Sequence, residues 1–504
     1  MVTPTWAVWI TLVSGPDVNI AADVLGATGV RLRYGMSGNG PADCLASTGE
    51  CSFTLRNDAR NSYATQGKYS PAHASVLAGF NYGIGVRIVF TYGGTDYTKF
   101  VGKVHVIRPM PGLGRGERVE LVAYDGMGDL MQADAREVTI QTSKTEAQLL
   151  TALLDALPTS AQPTARSIDT GVDTYPYAFD NVGAGTKAAG VAQDIVQSAY
   201  GWAFYAGDGT FTYLSRHTRA AVSSSATFTN SMHGLGVPSS LDQTYNRVRA
   251  TIHPKTIDAA ATTVIASQTG SAPDIAAGAS QTIWLTFRDP DEVKRLIGGL
   301  SAVTPIVATT DYTANDAADG GGTDRTASVS VATTVFASSA KFVVTNNYTG
   351  TVYLTKLQLR GKGVYDDGPR TFEAYSVQPY GDRPYEFDMP YQDDAEIGQS
   401  AATFIEASYN DLTQQVNSLE FVANQSDALM LQALTREPGD VVTITETMTG
   451  LSSVRAVITS VEFEIRAGLF IICRWGLAPA SPFGIWQIGV TGASELGVTT
   501  TLGF

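Results

Sequence analysis

The chain has 504 residues, more than one hydrophobic core ordinarily supports, so three or more domains are expected. A hydrophobic share of 44% against 16% charged residues excludes a disordered chain, and 50 glycines with abundant Thr and Val favour β structure. The formal charge of −14 excludes a protein that grips nucleic acid through a cationic face, but not a lumen through which DNA slides without sticking.

Cys44, Cys51 and Cys473 are few and odd in number, and read as free thiols of a protein assembled in a reducing cytosol. No Lys or Arg precedes Arg31, so no signal peptide is expected, and the apolar run Trp6–Val13 is too short to cross a bilayer.

In chain order, Trp6–Val13 reads as a first strand, and Asp17 as the cap of a short helix through Leu25. Arg31–Tyr34 returns as a strand, Ser37–Thr48 is a loop, and Ser52–Arg56 is a strand followed by the polar loop Asn57–Ser70. Val86, Ile88 and Phe90 alternate with their neighbours as in a strand with one buried face. Gly93-Gly94 turns this strand into Thr98–Ile107, and Glu117–Tyr124 follows. Hairpins in succession must hide their edges, and a small closed barrel does so, which makes residues 1–134 a first β-barrel. Its tip at Gly112, Arg115, Gly116 and Arg118 is flexible and partly basic, a candidate contact with a ring above.

The period then changes. Ser143 with Glu146 predicts a capping box, and Ala147, Leu149, Leu150, Leu153 and Leu154 form a helix stripe that stops before Pro158. A second helix, Lys187–Ala199, feeds strands Trp202–Tyr205 and Phe211–Leu214 around a Gly207–Gly209 turn, giving an α/β layer over 135–252. Residues 253–365 read as an inserted β-sandwich, with strands at Thr282–Phe287, Ala327–Val335, Lys341–Thr345 and Val352–Leu359. Residues 366–411 comprise a linker, Tyr375–Asp388, and a helix from about Asp394 to Tyr409. A second barrel spans 412–481, with a helical turn at Ala428–Leu434. The tail, 482–504, carries Trp486, Ile488, Leu496, Leu502 and Phe504 and is expected to dock on another subunit or a neighbouring protein.

The two barrel segments echo each other. Gly439–Ile444 answers Gly85–Val89, Arg455–Phe463 answers Lys99–Val106, Gly468–Leu477 answers Arg118–Tyr124, and Val416–Phe421 stands where Ser52–Arg56 stood. The fold class expected is therefore mainly β with α/β parts: two related small β-barrels, an intervening α/β layer and an inserted β-sandwich.

Several short motifs then take on a shared meaning: Cys51–Asn57, Tyr69-Ser70-Pro71, Gly85-Val86-Arg87, Ile168–Gly171, Tyr200-Gly201-Trp202, Gly207–Phe211, Tyr245–Val248, Glu437–Val442 and Ser494–Gly497. In this order they resemble tail-tip hub proteins of long-tailed phages, minor tail proteins similar in fold to the central hub of contractile-tail baseplates. The motifs cover most of the chain, most thinly between about Ala259 and Tyr365. The resemblance implies a homotrimer whose paired barrels make a pseudo-sixfold ring beneath the tail tube. It implies as partners a distal tail ring or tail tube protein, a tape measure protein, and tip fibres or receptor-binding proteins, with DNA only in transit. It also places the chain at the virion tail tip, after assembly in the host cytoplasm.

No catalytic or cofactor pattern competes with that reading. The histidines His73, His105, His217, His233 and His253 have no partner at metal-ligand spacing, and neither a nucleophile elbow nor a Walker loop occurs. Val182–Lys187 is only faintly like a phosphate cradle and reads as an ordinary helix entry. Asp388, Asp393, Asp394 and Glu396 read as a solvated helix N-terminus. Asn315–Gly320 departs from a calcium loop at Ala317. No enzyme, metal or cofactor is expected. The alternatives are a tail-associated cell-wall hydrolase, for which no room is expected after the second barrel, and a carbohydrate-binding tip adhesin built on the sandwich around Trp284 and Tyr353.

Overall fold

The computed structural model describes the chain except for residues 1, 113–115, 184, 221–222, 238–240, 289–295, 411–414, 481–483, 486–499 and 502–504, and the side chains of 484, 485, 500 and 501. Thirteen strands form its largest sheet. They are β1 (Thr5–Thr11), β2 (Asp17–Asn19), β3 (Val30–Gly35), β4 (Glu50–Arg56), β5 (Gly85–Tyr92), β6 (Thr95–Met110), β7 (Arg118–Tyr124), β8 (Ala226–Thr229), β9 (Gly234–Gly236), β10 (Ser418–Val422), β11 (Val441–Glu446), β12 (Leu451–Arg466) and β13 (Phe470–Pro479). The alternation seen in the sequence sets their faces: Val86, Ile88 and Phe90 point inward, and so do Val119, Leu121 and Ala123.

The sheet holds two modules. In the first the hydrogen-bonded order is β1–β5–β6–β7–β4–β3, with β2 outside β1; in the second it is β8–β11–β12–β13–β10–β9. The expected barrels are thus present as six-stranded ladders, and among the described residues no ladder closes either one. The first gives its free edge at β3 to β12 of the second instead. One continuous core then fills both, with Phe90 and Phe463 5.8 Å apart between them.

Local differences from the sequence reading have plain causes. Asp17 caps no helix: β2 pairs with β1, and the Asp17 carboxylate accepts from Thr11 at 2.7 Å and pairs with Arg87. The second module also takes in β8 and β9, which the sequence reading left with the α/β layer. Phe228 fills the space beside Phe421 and Trp475, at 5.2 and 5.5 Å. Ser143 does not cap the next helix, Glu146–Asp155, because strand Gln141–Thr145 runs on. The cap is Thr145, with Gln148 closing the box.

That helix and Ala188–Ser198 cover strands Arg166–Ile168, Phe211–Leu214 and Trp202–Tyr205, and Leu149, Leu150, Leu153 and Leu154 are fully buried. The supposed linker is strand at both ends. Arg370–Tyr375 and Pro384–Met389 flank Arg247–Ile252 in a small sheet under helix Ala395–Tyr409. The insertion has two sheets. One is arranged along Val352–Asp366, the other is Ser280–Thr286, Ser339–Asn346 and Val329–Val335, and Phe342, Val344, Leu354 and Leu359 share one core.

Candidate assembly interface

The two modules repeat one another in register, not only in strand order. The 16-residue β6 carries a bulge at His105 against β7, and the 16-residue β12 carries one at Thr459 against β13. Aligning those bulges brings Ile88–Phe100 onto Ile444–Val454 and Ile107–Leu121 onto Val461–Trp475. Even the loop bonds repeat. Gly83 donates to the Val104 carbonyl and Val104 to that of Ile84, as Gly439 does to Ile458 and Ile458 to Asp440. Bulges are specific features of a strand pair, so two in the same places mark one design used twice. The sixth strand departs from it: β1 runs antiparallel to β5, whereas β8 runs parallel to β11.

The modules meet along β3 and β12, from Val30–Ile465 to Gly35–Ser460. Leu32 and Phe463 face the core there, while the outer face carries alternating charge. Arg31 binds Glu464 at 2.9 Å, Arg466 binds the same carboxylate at 2.9 Å, and Arg474 binds both Glu462 and Glu420. Exposed pairs of this kind contribute roughly 0–1 kcal/mol each, so they set register more than strength. Closeness comes from Gly35, whose φ is +104 and whose place a Cβ could share only by standing 2.5 Å from the Thr459 carbonyl oxygen.

A buried ion pair fastens the seam to the layer. Lys99 sits at the β5–β6 bulge, 1% exposed, and its ammonium meets Glu437 Oε1 at 2.5 Å and the carbonyls of Arg436 and Leu434 at 3.3 and 3.4 Å. Glu437 also accepts from the Tyr34 hydroxyl at 3.2 Å and from the Gly207 amide at 3.3 Å. One carboxylate therefore ties β6, β3, the second module and the 207–209 turn together. Burial and then Glu437 hold the Tyr34 phenol well above its ordinary range. Gly439, with φ +98, keeps the second module close to Leu214.

This junction was not singled out from the sequence as a site, although Glu437–Val442 and Gly207–Phe211 both stood among the motifs quoted for the resemblance. The sequence offered little signal, since Lys99 is one of several charged residues along Thr95–Met110, with Asp96, Lys103 and Arg108. Of the residues that were singled out, Gly112 and Gly116 face each other closely across the β6–β7 tip, and a Cβ on Gly112 would lie 2.3 Å from the Gly116 backbone. Arg118 begins β7, exposed, opposite Met110. Arg115, Trp486, Ile488, Leu496, Leu502 and Phe504 lie outside the described residues.

The other chemical candidates have structural partners. Asp394 caps helix Ala395–Tyr409 through the Glu396 amide at 2.8 Å, and Asp388 bonds His253 at 2.6 Å, which holds that imidazole above its ordinary range. Asp316 accepts from Thr323 and pairs with Arg325. His105 stacks on Tyr124 at 4.7 Å. Lys187 donates to the Gln132 carbonyl. Among the described residues no cluster of metal-ligand type occurs. Trp284 stacks on Phe336 at 5.2 Å and lies 3.7 Å beneath the Arg136 guanidinium, so its ring is already in use within the protein.

No family model and no curated protein matches this sequence. Solved structures do. The chain is similar over 94% of its length to the 43 kDa tail protein of prophage MuSo2 from Shewanella oneidensis, covering 99% of that chain with a TM-score of 0.50 at 8% identity. A tail protein from Neisseria meningitidis MC58 aligns over 94% of this chain and 96% of its own, with a TM-score of 0.48 at 9% identity. An E. coli component of the type VI secretion system, described as similar to T4 bacteriophage tail proteins gp27 and gp5, aligns over 94% and 77%, with a TM-score of 0.39 at 10% identity. The fold of this chain is similar to that of a phage tail protein.

Proposed function

We propose that this chain is the structural hub of a phage tail tip, acting as a homotrimer without catalysis. The observation that carries the proposal is the register-true repeat of the two modules. Three copies present six nearly equivalent modules, so a threefold body meets a sixfold tail tube or distal tail ring without mismatch. The inferred ring closes the module edges that remain open within one chain. The α/β layer and the insertion then lie outside or below it, where tip fibres or receptor-binding proteins attach, and the tape measure protein enters from above. Gating of the lumen for DNA follows as a rigid-body change between the ring and the layer.

Electron microscopy of the tail end, averaged with threefold symmetry only, tests this. The expected image is a ring of six similar modules from three chains. A ring of six whole chains, or one module standing outside the ring, overturns it. A glycan-binding reading of the insertion is not favoured at Trp284, whose partly buried ring stacks on Phe336 and lies beneath the Arg136 guanidinium.

A further inference from the structure

Inside one chain, the margin of the first module, β3, lies on the flank of the second, the C-terminal half of β12. The repeat supplies a second margin and a second flank. The margin is β9, which stands to β10 as β3 stands to β4; the flank is the C-terminal half of β6. Neither has a further strand partner among the described residues: β9 pairs only with β10, and beyond Lys103 β6 pairs only with β7.

The register can be carried across residue by residue. Phe53 lies opposite Leu121 and Val30, and Leu419 lies opposite Trp475 and Leu235, so Leu235 stands where Val30 does and Val237 where Leu32 does. On the flank, Pro109 and Pro111 stand where Phe463 and Ile465 do, two and four residues beyond the matched pair Ile107 and Val461. Exposure then separates the two sets. Leu32, Phe463 and Ile465 are buried at 1%, 0% and 2%, whereas Val237 is 36% exposed and Pro109 and Pro111 are exposed. These apolar residues have the core-facing parity of their counterparts and lack only the module that covers those counterparts. Tyr82, 56% exposed, lies beside them with its hydroxyl near the Ile107 carbonyl at 3.5 Å. It stands where Pro438 packs against Gly35 at the internal seam.

We propose that Leu235 and Val237 of one copy pack on Tyr82, Pro109 and Pro111 of a second copy of this chain, repeating between copies the contact that β3 makes with β12 within one. This deepens the hub reading and rests on it. The two surfaces differ, so the contact is head-to-tail and closes a ring instead of a twofold dimer. Pro109 and Pro111 have no N–H to offer, so the contact between copies is side-chain packing where the internal one is a ladder. The same prolines keep an unassembled copy from recruiting stray strands.

The test is a cysteine pair, Val237→Cys with Pro109→Cys, in the full chain. Val237 faces Pro109 in the register carried over from Leu32 and Phe463, and a disulfide forms where such facing Cα atoms come within about 4.4–6.8 Å. Cys44, Cys51 and Cys473 are wholly buried, so they contribute little background. Mild oxidation is expected to give covalent multimers on a non-reducing gel, while each single variant yields at most a dimer. The control Val237→Cys with Asp96→Cys, whose second site lies by the β5–β6 turn, is expected to crosslink no further than the Val237→Cys single variant. Val237→Asp is expected to reduce assembly at least tenfold with an unchanged melting curve. Multimers in native mass measurements without the crosslink overturn this contact and leave the hub reading standing. Monomers at every concentration, without the crosslink, count against both. Equal crosslinking by the control pair marks random collision and overturns the contact.

Discussion

Replacing either partner of the Lys99–Glu437 pair should have unequal consequences. Glu437→Leu leaves the 1% exposed ammonium of Lys99 without a counter-ion, held by two carbonyls at 3.3 and 3.4 Å and by the faces of Tyr34 and Phe463 at 5.7 and 5.8 Å. Stranding a buried charge in this way costs about 3–5 kcal/mol. Lys99→Met strands less. The Glu437 side chain is 32% exposed, so water reaches it, and the Tyr34 hydroxyl and Gly207 amide still donate to it. The loss there is that of the charged hydrogen bond to Glu437, about 1.5–3 kcal/mol, together with two longer bonds to the Arg436 and Leu434 carbonyls. The double variant Lys99→Met, Glu437→Leu replaces the pair with apolar groups and should be more stable than Glu437→Leu alone. Urea unfolding followed by tryptophan fluorescence and far-ultraviolet circular dichroism gives the order through the transition midpoints. Because β3 and β12 share a ladder and a core, both modules should lose structure in one transition. The reasoning fails if Lys99→Met is the more damaging single change, or if the two losses simply add in the double variant.

Gly35→Ala forces a Cβ to within 2.5 Å of the Thr459 carbonyl oxygen and 2.8 Å of the Ser460 Cα, both backbone, so the seam must open. A loss above about 2 kcal/mol is expected, with faster amide exchange across Ser460–Ile465, and slow exchange there would refute it. Asp125, buried at the N-cap of helix Gly126–Gln132, has its carboxyl pushed up to about 7 by burial, against three backbone amides that pull it down. The folded chain therefore holds a proton that the unfolded chain releases near pH 4, and this contribution to stability falls as pH rises from about 4 to about 7. Asp125→Asn keeps an acceptor for the Met127 amide, removes that slope and gains up to about 4 kcal/mol at pH 8; parallel pH profiles of the two proteins would refute it. Arg216 and Asp173, 5% and 7% exposed, meet in two parallel bonds of 2.6 and 2.7 Å. Arg216→Met strands the carboxylate and should cost about 3–5 kcal/mol by thermal or urea unfolding, so a loss below about 1 kcal/mol would be inconsistent with it.

Much of the architecture was legible because period-two alternation reports burial directly. Val86, Ile88 and Phe90 and, far downstream, Val442 and Ile444 mark the strands in which they lie. The repeat could be seen for the same reason, in pattern rather than identity. What failed was local preference overruled by pairing. Asp17 is a good cap, yet β1 has an open edge that takes Asp17–Asn19 as strand. Tyr375–Asp388 has the Pro, Gly and Tyr of a linker, yet Arg247–Ile252 binds strands at both of its ends. The Lys99–Glu437 junction was hidden by distance, since a salt bridge between residues more than three hundred positions apart leaves no spacing to recognise. Strand β9 was hidden by brevity: three residues with two glycines carry no alternation at all.

The placement of everything else follows from where the ladders end. In the first module β3 stops, β4 starts and β7 stops at one end, since Arg33 pairs with Glu50 and Glu50 with Tyr124. In the second, β9 stops and β10 starts at the matching end, where Gly236 pairs with Ser418 and Ser418 with Gly476. The first module fills its connection there with residues 36–49, and Met36, Cys44 and Ala46 join the core of the layer. The second fills the same connection with residues 237–417, which include the insertion and the helix Ala395–Tyr409. Helix Gly126–Gln132 leaves from that end too. The turns from β6 to β7 and from β12 to β13 lie at the other end, set by Met110 opposite Arg118 and Arg466 opposite Phe470. The larger connections thus lie at one end of both modules, and the opposite end carries only the shorter ones, which begin after β4 and β10 and bond the tips through Asn57 to the Glu117 carbonyl and Asn424 to the Leu469 carbonyl. On the hub reading those tips alternate around the ring as six contacts of two kinds, the longer with Gly112 and Gly116 at its base and the shorter at Ala467–Leu469. On that same reading a sixfold partner rests on them and the threefold bulk stays on the far side.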